Sequence, residues 1–299
     1  MYDLIIVGGG PAGLTAALYA MKKQLHFVLI SQDFGGKTNI RMRLADLDYY
    51  QMTRGADLVG NIKAELERRQ FPGSIGEVTL IQPQEQGYRV KISGKKSLDG
   101  RSLIMATGVR APRLNVPGER KFGLSGLSYS ATSYLRLCTG KRVVVIGEGG
   151  RALRAAAELD VVADRLHLIG SFADEQESPL YASLKESSEV TMLDGQVLRF
   201  EGDKISERVV LGMPDGREQD ILCDAIFVEQ ELIPNSDLVA DIVDLDKKGG
   251  IYTDRRCRTS APGVFAAGDV TTSTEQVFIA VGEGAQAALS AHEYLLPSL

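Results

Sequence analysis

Two glycine-rich loops of one type, Gly8-Gly-Gly10-Pro-Ala-Gly13 and Gly147-Glu-Gly149-Gly-Arg-Ala152, constrain this chain more than any other feature. The first follows the apolar run Tyr2–Val7 and precedes an alanine- and leucine-rich stretch, Leu14–Lys23, so it reads as strand, tight turn, helix. In such a unit Gly8 permits the turn, Gly10 lets a pyrophosphate approach the backbone, and Gly13 lets the helix pack closely on the strand. The helix N-terminus then turns unpaired N–H groups toward the phosphates. A glycine turn that merely reverses the chain is the bland alternative.

The second loop keeps poorer chemical company. Lys141–Ile146 precede it as a strand and Ala152–Leu159 follow it as a helix, so the turn is preserved. Glu148, however, puts a carboxylate beside the phosphate cradle and works against a pyrophosphate. Arg151 is placed to offset that charge, and the loop alone leaves the question open. Two βαβ units in 299 residues of 44% hydrophobic content argue for two moderate cores rather than one large one.

Between the loops the chain reads coarsely. A second strand covers His26–Ile30, a polar stretch containing Gly35-Gly36-Lys37 runs from Ser31 to Arg54, and a helix covers Ala56–Arg69 with Leu58, Ile62 and Leu66 at fourfold spacing. Strands follow at Val78–Gln82 and Tyr88–Ile92, then at Ser102–Met105, where Ala106-Thr-Gly108 turns the chain. Pro112, Pro117 and Gly118 suggest a crossing between domains. Beyond the second loop lie a strand at Leu166–Ile169, hairpin-like material over Val190–Leu211 and a strand at Ala225–Val228. Pro234 begins another linker, Pro262–Asp269 gives a strand and turn, and a small-residue helix runs from about Ala280 to Leu296.

A formal charge of −5 disfavours nucleic acid as the main partner. No apolar run approaches about 18 residues and the N-terminus enters a strand directly, so neither a membrane span nor a signal peptide is expected, and the expected compartment is the cytoplasm. Cys138, Cys223 and Cys257 form neither a CxxC pair nor a metal cluster. They read as small buried hydrophobes, and no metal site is expected. His26, His167 and His292 read as structural.

The N-terminal fingerprint, Ala106-Thr-Gly108, Pro262-Gly-Val-Phe-Ala-Ala-Gly-Asp269 and Glu283-Gly-Ala-Gln-Ala-Ala-Leu together resemble a thioredoxin reductase-like member of the two-dinucleotide-binding flavoproteins. That group includes the reductase part of alkyl hydroperoxide reductase. The resemblance covers the whole chain and implies an α/β fold of two Rossmann-like domains (βαβ, three-layer), the second inserted in the first. It implies an FAD-binding domain at 1–115 and 246–299 and a degenerate NAD(P)H-binding-like domain at 116–245. By the same resemblance FAD would be held by Gly8, Gly10, Pro11, Ala12 and Gly13, by Ser31 and Val78, and by Gly35, Gly36 and Lys37. Ala106, Thr107, Gly108, Gly268, Asp269, Glu275, Gln276 and Val277 would complete the site. Asp269 suits a ribose or ribityl hydroxyl, while turn amides must face the phosphate. Lys37 would neutralise pyrophosphate charge or simply face solvent. Gln276 would meet the polar edge of the flavin with an amide that both donates and accepts, and Glu275 replaces the usual basic residue before it. The resemblance also implies a homodimer.

Departures from the family are concentrated in the middle. Thioredoxin reductases carry Cys-Ala-Thr-Cys-Asp where this chain has Ser130-Ala-Thr-Ser133-Tyr134. Disulfide exchange needs an attacking thiolate and a resolving thiol, and serine supplies neither. Cys138 is the nearby thiol, and it lacks a resolving partner. The strand after the second loop ends in Gly170-Ser171-Phe172, with no basic cluster for a 2′-phosphate and no acid for a ribose, and Glu231 replaces a glycine before Pro234-Asn235.

Three function classes follow. One is an FAD-dependent oxidoreductase fed by ferredoxin or another small electron carrier, passing electrons to an unknown acceptor. Another is an NAD(P)H-dependent flavin or ferredoxin reductase. The third is a non-catalytic FAD-binding redox sensor. No residue stands out as a general acid or base, and a second FAD in the middle domain is conceivable because its glycine loop survives.

Overall fold

The computed structural model of the protein describes residues 1–39, 42–44 and 54–298. Of the polar stretch expected over 31–54, residues 40–41 and 45–53 therefore lie outside the described residues. The chain opens with β1 (Tyr2–Val7), α1 (Pro11–Lys22), β2 (Phe27–Ser31), α2 (Arg54–Arg68), β3 (Gly73–Ile75), β4 (Val78–Gln84), β5 (Gly87–Ile92), β6 (Leu98–Met105) and β7 (Val109–Arg110). It continues with α3 (Glu119–Phe122), β8 (Leu127–Ser128), β9 (Arg142–Ile146), α4 (Gly149–Asp160), β10 (Arg165–Ile169), α5 (Pro179–Glu186), β11 (Val190–Leu193), β12 (Gln196–Gly202), β13 (Ser206–Gly212), β14 (Glu218–Leu222) and β15 (Ala225–Val228). Then come β16 (Ile233–Pro234), β17 (Val264–Ala266) and α6 (Val277–Leu295). The result is an α/β fold divided into two compact units.

Among the described residues the first unit takes 1–39, 54–110 and 233–298. Its main sheet runs β3-β2-β1-β6-β5-β4, and β17 pairs with β6 in parallel. β6 serves two neighbours on one edge: its start pairs antiparallel with β5, its end with β17. The strict alternation of strands buried on both faces is visible in β1. Leu4 and Ile6 join the core under α1, α2 and α6, while Ile5 and Val7 join the opposite core with Val28, Ile30, Leu103, Met105 and Val264.

The second unit takes 42–44 and 111–232. A parallel five-stranded sheet runs β11-β10-β9-β15-β8. Val143 and Val145 face α4 and α5; Val144 and Ile146 face the antiparallel sheet β12-β13-β14.

Several elements differ from the sequence expectation. Both helices after the glycine loops start earlier than their apolar runs, α1 at Pro11 and α4 at Gly149. Pro11 takes the first helical position, where a missing N–H costs nothing, so the turn runs directly into helix. The expected hairpin over Val190–Leu211 is two things: β11 is a parallel edge strand, and the hairpin proper is β12 with β13, extended by β14. The linker expected at Pro234 contains β16, which pairs antiparallel with β7.

Candidate functional site

In the first unit the glycine turn is dictated by sterics. Gly8 has φ +111°, and a Cβ there would lie 2.1 Å from the Ala106 carbonyl oxygen; a Cβ on Gly13 would lie 1.8 Å from the Gly8 carbonyl oxygen. Neither position admits a side chain. A Cβ on Gly10 would meet nothing within 4 Å, so the loop is closed behind and open in front. Gly10 caps α1, Pro11, Ala12 and Gly13 form its first turn, and that turn carries no acidic residue. The N–H groups of Ala12 and Gly13 thus lie at a helix end that favours an anion.

Other expected positions gather round this loop. Ser31 ends β2 and its Oγ accepts the Gly9 N–H at 2.8 Å, while the Gly35 N–H donates to the Gly9 carbonyl, also at 2.8 Å. Gly36 has φ +56°, and a Cβ there would come within 3.1 Å of the Gly10 Cα. The Gly35-Gly36 turn therefore lies against the glycine loop. Lys37 Nζ and Asp269 Oδ2 are 2.8 Å apart, an ion pair between residues 232 positions apart in sequence. Gly268 donates its N–H to Glu283 Oε2 at 2.7 Å, and its φ of +79° turns the chain after β17.

The Ala106-Thr-Gly108 turn is held by a partner the sequence did not suggest. Thr107 Oγ1 donates to the Asn235 carbonyl at 2.7 Å, Asn235 Nδ2 donates to the Thr107 carbonyl at 3.0 Å, and the Asn235 N–H donates to the Gly108 carbonyl at 2.9 Å. Pro234-Asn235 thus completes the first unit's turn. Gln276 caps α6 through its backbone and is exposed, Glu275 precedes it, and Val277 opens the helix. Val78 begins β4, the edge strand of the main sheet, and packs with the core on the face away from α1.

The second loop is built on the same plan. A Cβ on Gly147 would lie 2.3 Å from the Glu229 carbonyl oxygen, and one on Gly170 would lie 1.9 Å from the Gly147 carbonyl oxygen. Gly170 is accordingly required for close packing, which explains why no acid stands at the end of β10. Glu148 caps α4 without a side-chain hydrogen bond and is exposed. The guanidinium expected to offset it is engaged elsewhere: Arg151 Nε donates to Glu229 Oε2 at 2.9 Å, and Glu229 is 3% exposed. Glu231, by contrast, is exposed. Sequence reading weighed Glu148 and Glu231 and missed Glu229; the signal available was a carboxylate placed directly after the apolar run Ala225–Val228.

At the serine pair, Ser130 Oγ and Ser133 Oγ lie 2.9 Å apart, with Ser133 on a turn of 3-10 helix over Thr132–Cys138. Tyr134 is buried, and its hydroxyl oxygen accepts the Met42 N–H at 3.0 Å. Cys138 is fully buried, and burial pushes its thiol up to about 12. A thiol so placed is protonated at neutral pH and inert. Among the described residues no group of histidine, cysteine or carboxylate side chains could hold a metal ion, and no helix is long and apolar enough to cross a membrane.

The fold and these two loops define a class, α/β proteins with two dinucleotide-type folds. Residues 2–284 match the family model described as pyridine nucleotide-disulphide oxidoreductase, and the chain belongs to that family. It is 33% identical over 99% of its length to the alkyl hydroperoxide reductase F subunit of Pseudomonas putida, covering 58% of that protein. The chain spans under three fifths of the length of the curated relatives it matches. Over 99% of both chains it is similar to the thioredoxin reductase of Streptococcus pyogenes, with a TM-score of 0.87 and 28% identity. Over the same shares it is similar to a ferredoxin-flavin thioredoxin reductase from Clostridium acetobutylicum, with a TM-score of 0.51 and 27% identity. Family membership carries an FAD-binding capability and oxidoreductase chemistry in general.

Proposed function

We propose that this protein is an FAD-dependent oxidoreductase that receives electrons from ferredoxin or another small protein carrier and passes them to an external acceptor without disulfide exchange. The observation that carries this reading is the Ser130–Ser133 hydroxyl pair, 2.9 Å apart at the position where the resemblance places a cysteine pair. Two hydroxyls can neither attack a disulfide nor store electrons as one.

The first unit is the proposed FAD domain. Its open-fronted Gly10 and its acid-free helix N-terminus fit an anionic dinucleotide, and Lys37, held by Asp269 at 2.8 Å but still half-exposed, is a cation that a phosphate could share. Gly8, Gly10, Pro11, Ala12 and Gly13 would hold the pyrophosphate, with Lys37 as counter-ion and Asp269 as hydroxyl acceptor. Ser31, Gly35 and Gly36 would shape the cover, Ala106, Thr107 and Gly108 the floor, and Gly268, Glu275, Gln276 and Val277 the flavin end, with Val78 a more distant candidate. FAD, when bound, supplies one- or two-electron transfer. The protein would hold and orient it, and the hydrogen bonds between Thr107 and Asn235 keep the Ala106-Thr-Gly108 turn fixed.

The retained glycine geometry of the second loop favours a second reading, an NAD(P)H-dependent flavin or ferredoxin reductase. Anaerobic titration of the flavin spectrum separates the two. Reduction by chemically reduced ferredoxin with slow reduction by NADH and NADPH is the expected result; rapid, saturable reduction at micromolar NADPH would put the second reading first. A protein that no carrier or nucleotide reduces at a useful rate would fall in the third class, a non-catalytic FAD-binding or redox-sensing protein.

A further inference from the structure

The second unit encloses a carboxylate of its own beside its glycine loop. Glu229 follows β15 directly, is 3% exposed, and accepts the Ala131 N–H at Oε1 and the Arg151 Nε–H at Oε2. Arg151 belongs to the first turn of α4, and Gly147 touches the Glu229 backbone. One carboxylate therefore joins the end of β15, the glycine loop and the turn that carries Ser130 and Ser133.

We infer that Glu229 is a specificity-determining residue: an internal anion that occupies the loop's cation and so lowers the positive charge the loop can offer a dinucleotide phosphate. The inference rests on the reading that electrons arrive from a protein carrier, and it names the residue that closes the nucleotide route. A phosphate recruiting Arg151 would share a guanidinium whose Nε–H is already given to a buried carboxylate, and weakening a buried charge-assisted pair is unfavourable. Glu148 is exposed, so water and salt screen its charge. Glu229 is buried, so solvent screens its hold on Arg151 far less. Of the two carboxylates near the loop, the buried one dominates.

The probe is ADP, titrated by calorimetry into the FAD-loaded full chain so that the first site is occupied. The protein is compared with Glu229→Gln and with Glu229→Gln/Arg151→Met, which removes both charges of the pair. Glu229→Gln removes the carboxylate charge from Arg151 Nε and should bind ADP about tenfold tighter than the unsubstituted protein, the worth of one charge-assisted hydrogen bond. The double variant loses the anion and the cation together and should bind ADP more weakly than Glu229→Gln, close to the unsubstituted protein. Glu229→Gln, shown to be folded by its circular dichroism and FAD content, overturns the inference if it binds ADP no tighter than the unsubstituted protein, and so does a folded double variant that binds ADP as tightly as Glu229→Gln. Equal ADP affinities with NADPH inert would defeat this inference alone, whereas rapid NADPH reduction of the unsubstituted protein would defeat the proposed function as well.

Discussion

Gly284→Ala tests whether the first unit's glycine loop depends on contact between α1 and α6. Gly284 lies in α6, and a Cβ there would stand 2.1 Å from the Ala12 carbonyl oxygen, 2.8 Å from its carbon and 2.9 Å from its Cα. A carbon–oxygen contact relaxes at about 3.3 Å, so α1 and α6 must part by about 1 Å. Alanine contributes about 1 kcal/mol over glycine within a helix. Overpacking costs about 1–3 kcal/mol or more, and the upper end applies because the obstructing atoms are backbone. The expected net loss is about 2 kcal/mol, which lowers the melting temperature by about 4–8 °C. Parting the helices also moves the Ala12 and Gly13 N–H groups, and losing one phosphate hydrogen bond should weaken FAD binding about tenfold. Gly282→Ala is the control: its Cβ would meet nothing within 4 Å, so only helix propensity changes and the melting temperature should rise by about 2–4 °C. Circular dichroism melts and fluorescence titration of the apo-protein with FAD read both effects. A Gly284→Ala protein that melts as high as Gly282→Ala and retains FAD equally well would refute the packing argument.

Ser130→Cys/Ser133→Cys should close a disulfide under mild oxidant, because the native hydroxyls already touch at 2.9 Å; thiol titration of the denatured protein should then find only the three native cysteines, and detection of both added thiols would count against the turn geometry. Burial pushes Cys138, Cys223 and Cys257 each up to about 12 from 9.0. The unfolded thiols ionise first, so the folded state holds more protons between those values and stability falls as pH rises from about 9. Melting temperatures measured between pH 8 and about 11 should show this decline, lessened by Cys→Ala at any of the three; an unchanged slope in all three variants would rule out the thiols as its source. Light scattering should return twice the 32.4 kDa chain mass if the protein is a homodimer, and a concentration-independent single-chain mass would exclude that assembly.

Much of the fold was legible because local sterics and periodicity impose it. The alternation of Leu4, Ile5, Ile6 and Val7 between two cores is a property of any strand buried on both faces, and Gly8 and Gly13 admit no Cβ whatever the rest of the chain does. β3, β11 and β14 were not readable as they stand, since short strands are defined by the neighbours they pair with rather than by their own residues. The same limit applies to the site. Composition and motif named Lys37, Asp269, Thr107 and Arg151 separately, but their partners come from 232, 128 and 78 positions away in the pairs Lys37–Asp269, Thr107–Asn235 and Arg151–Glu229. Whether a cation is held by a partly exposed carboxylate, as Lys37 is by Asp269, or by a buried one, as Arg151 is by Glu229, is a question of distance and dielectric, and those exist only once the chain has folded.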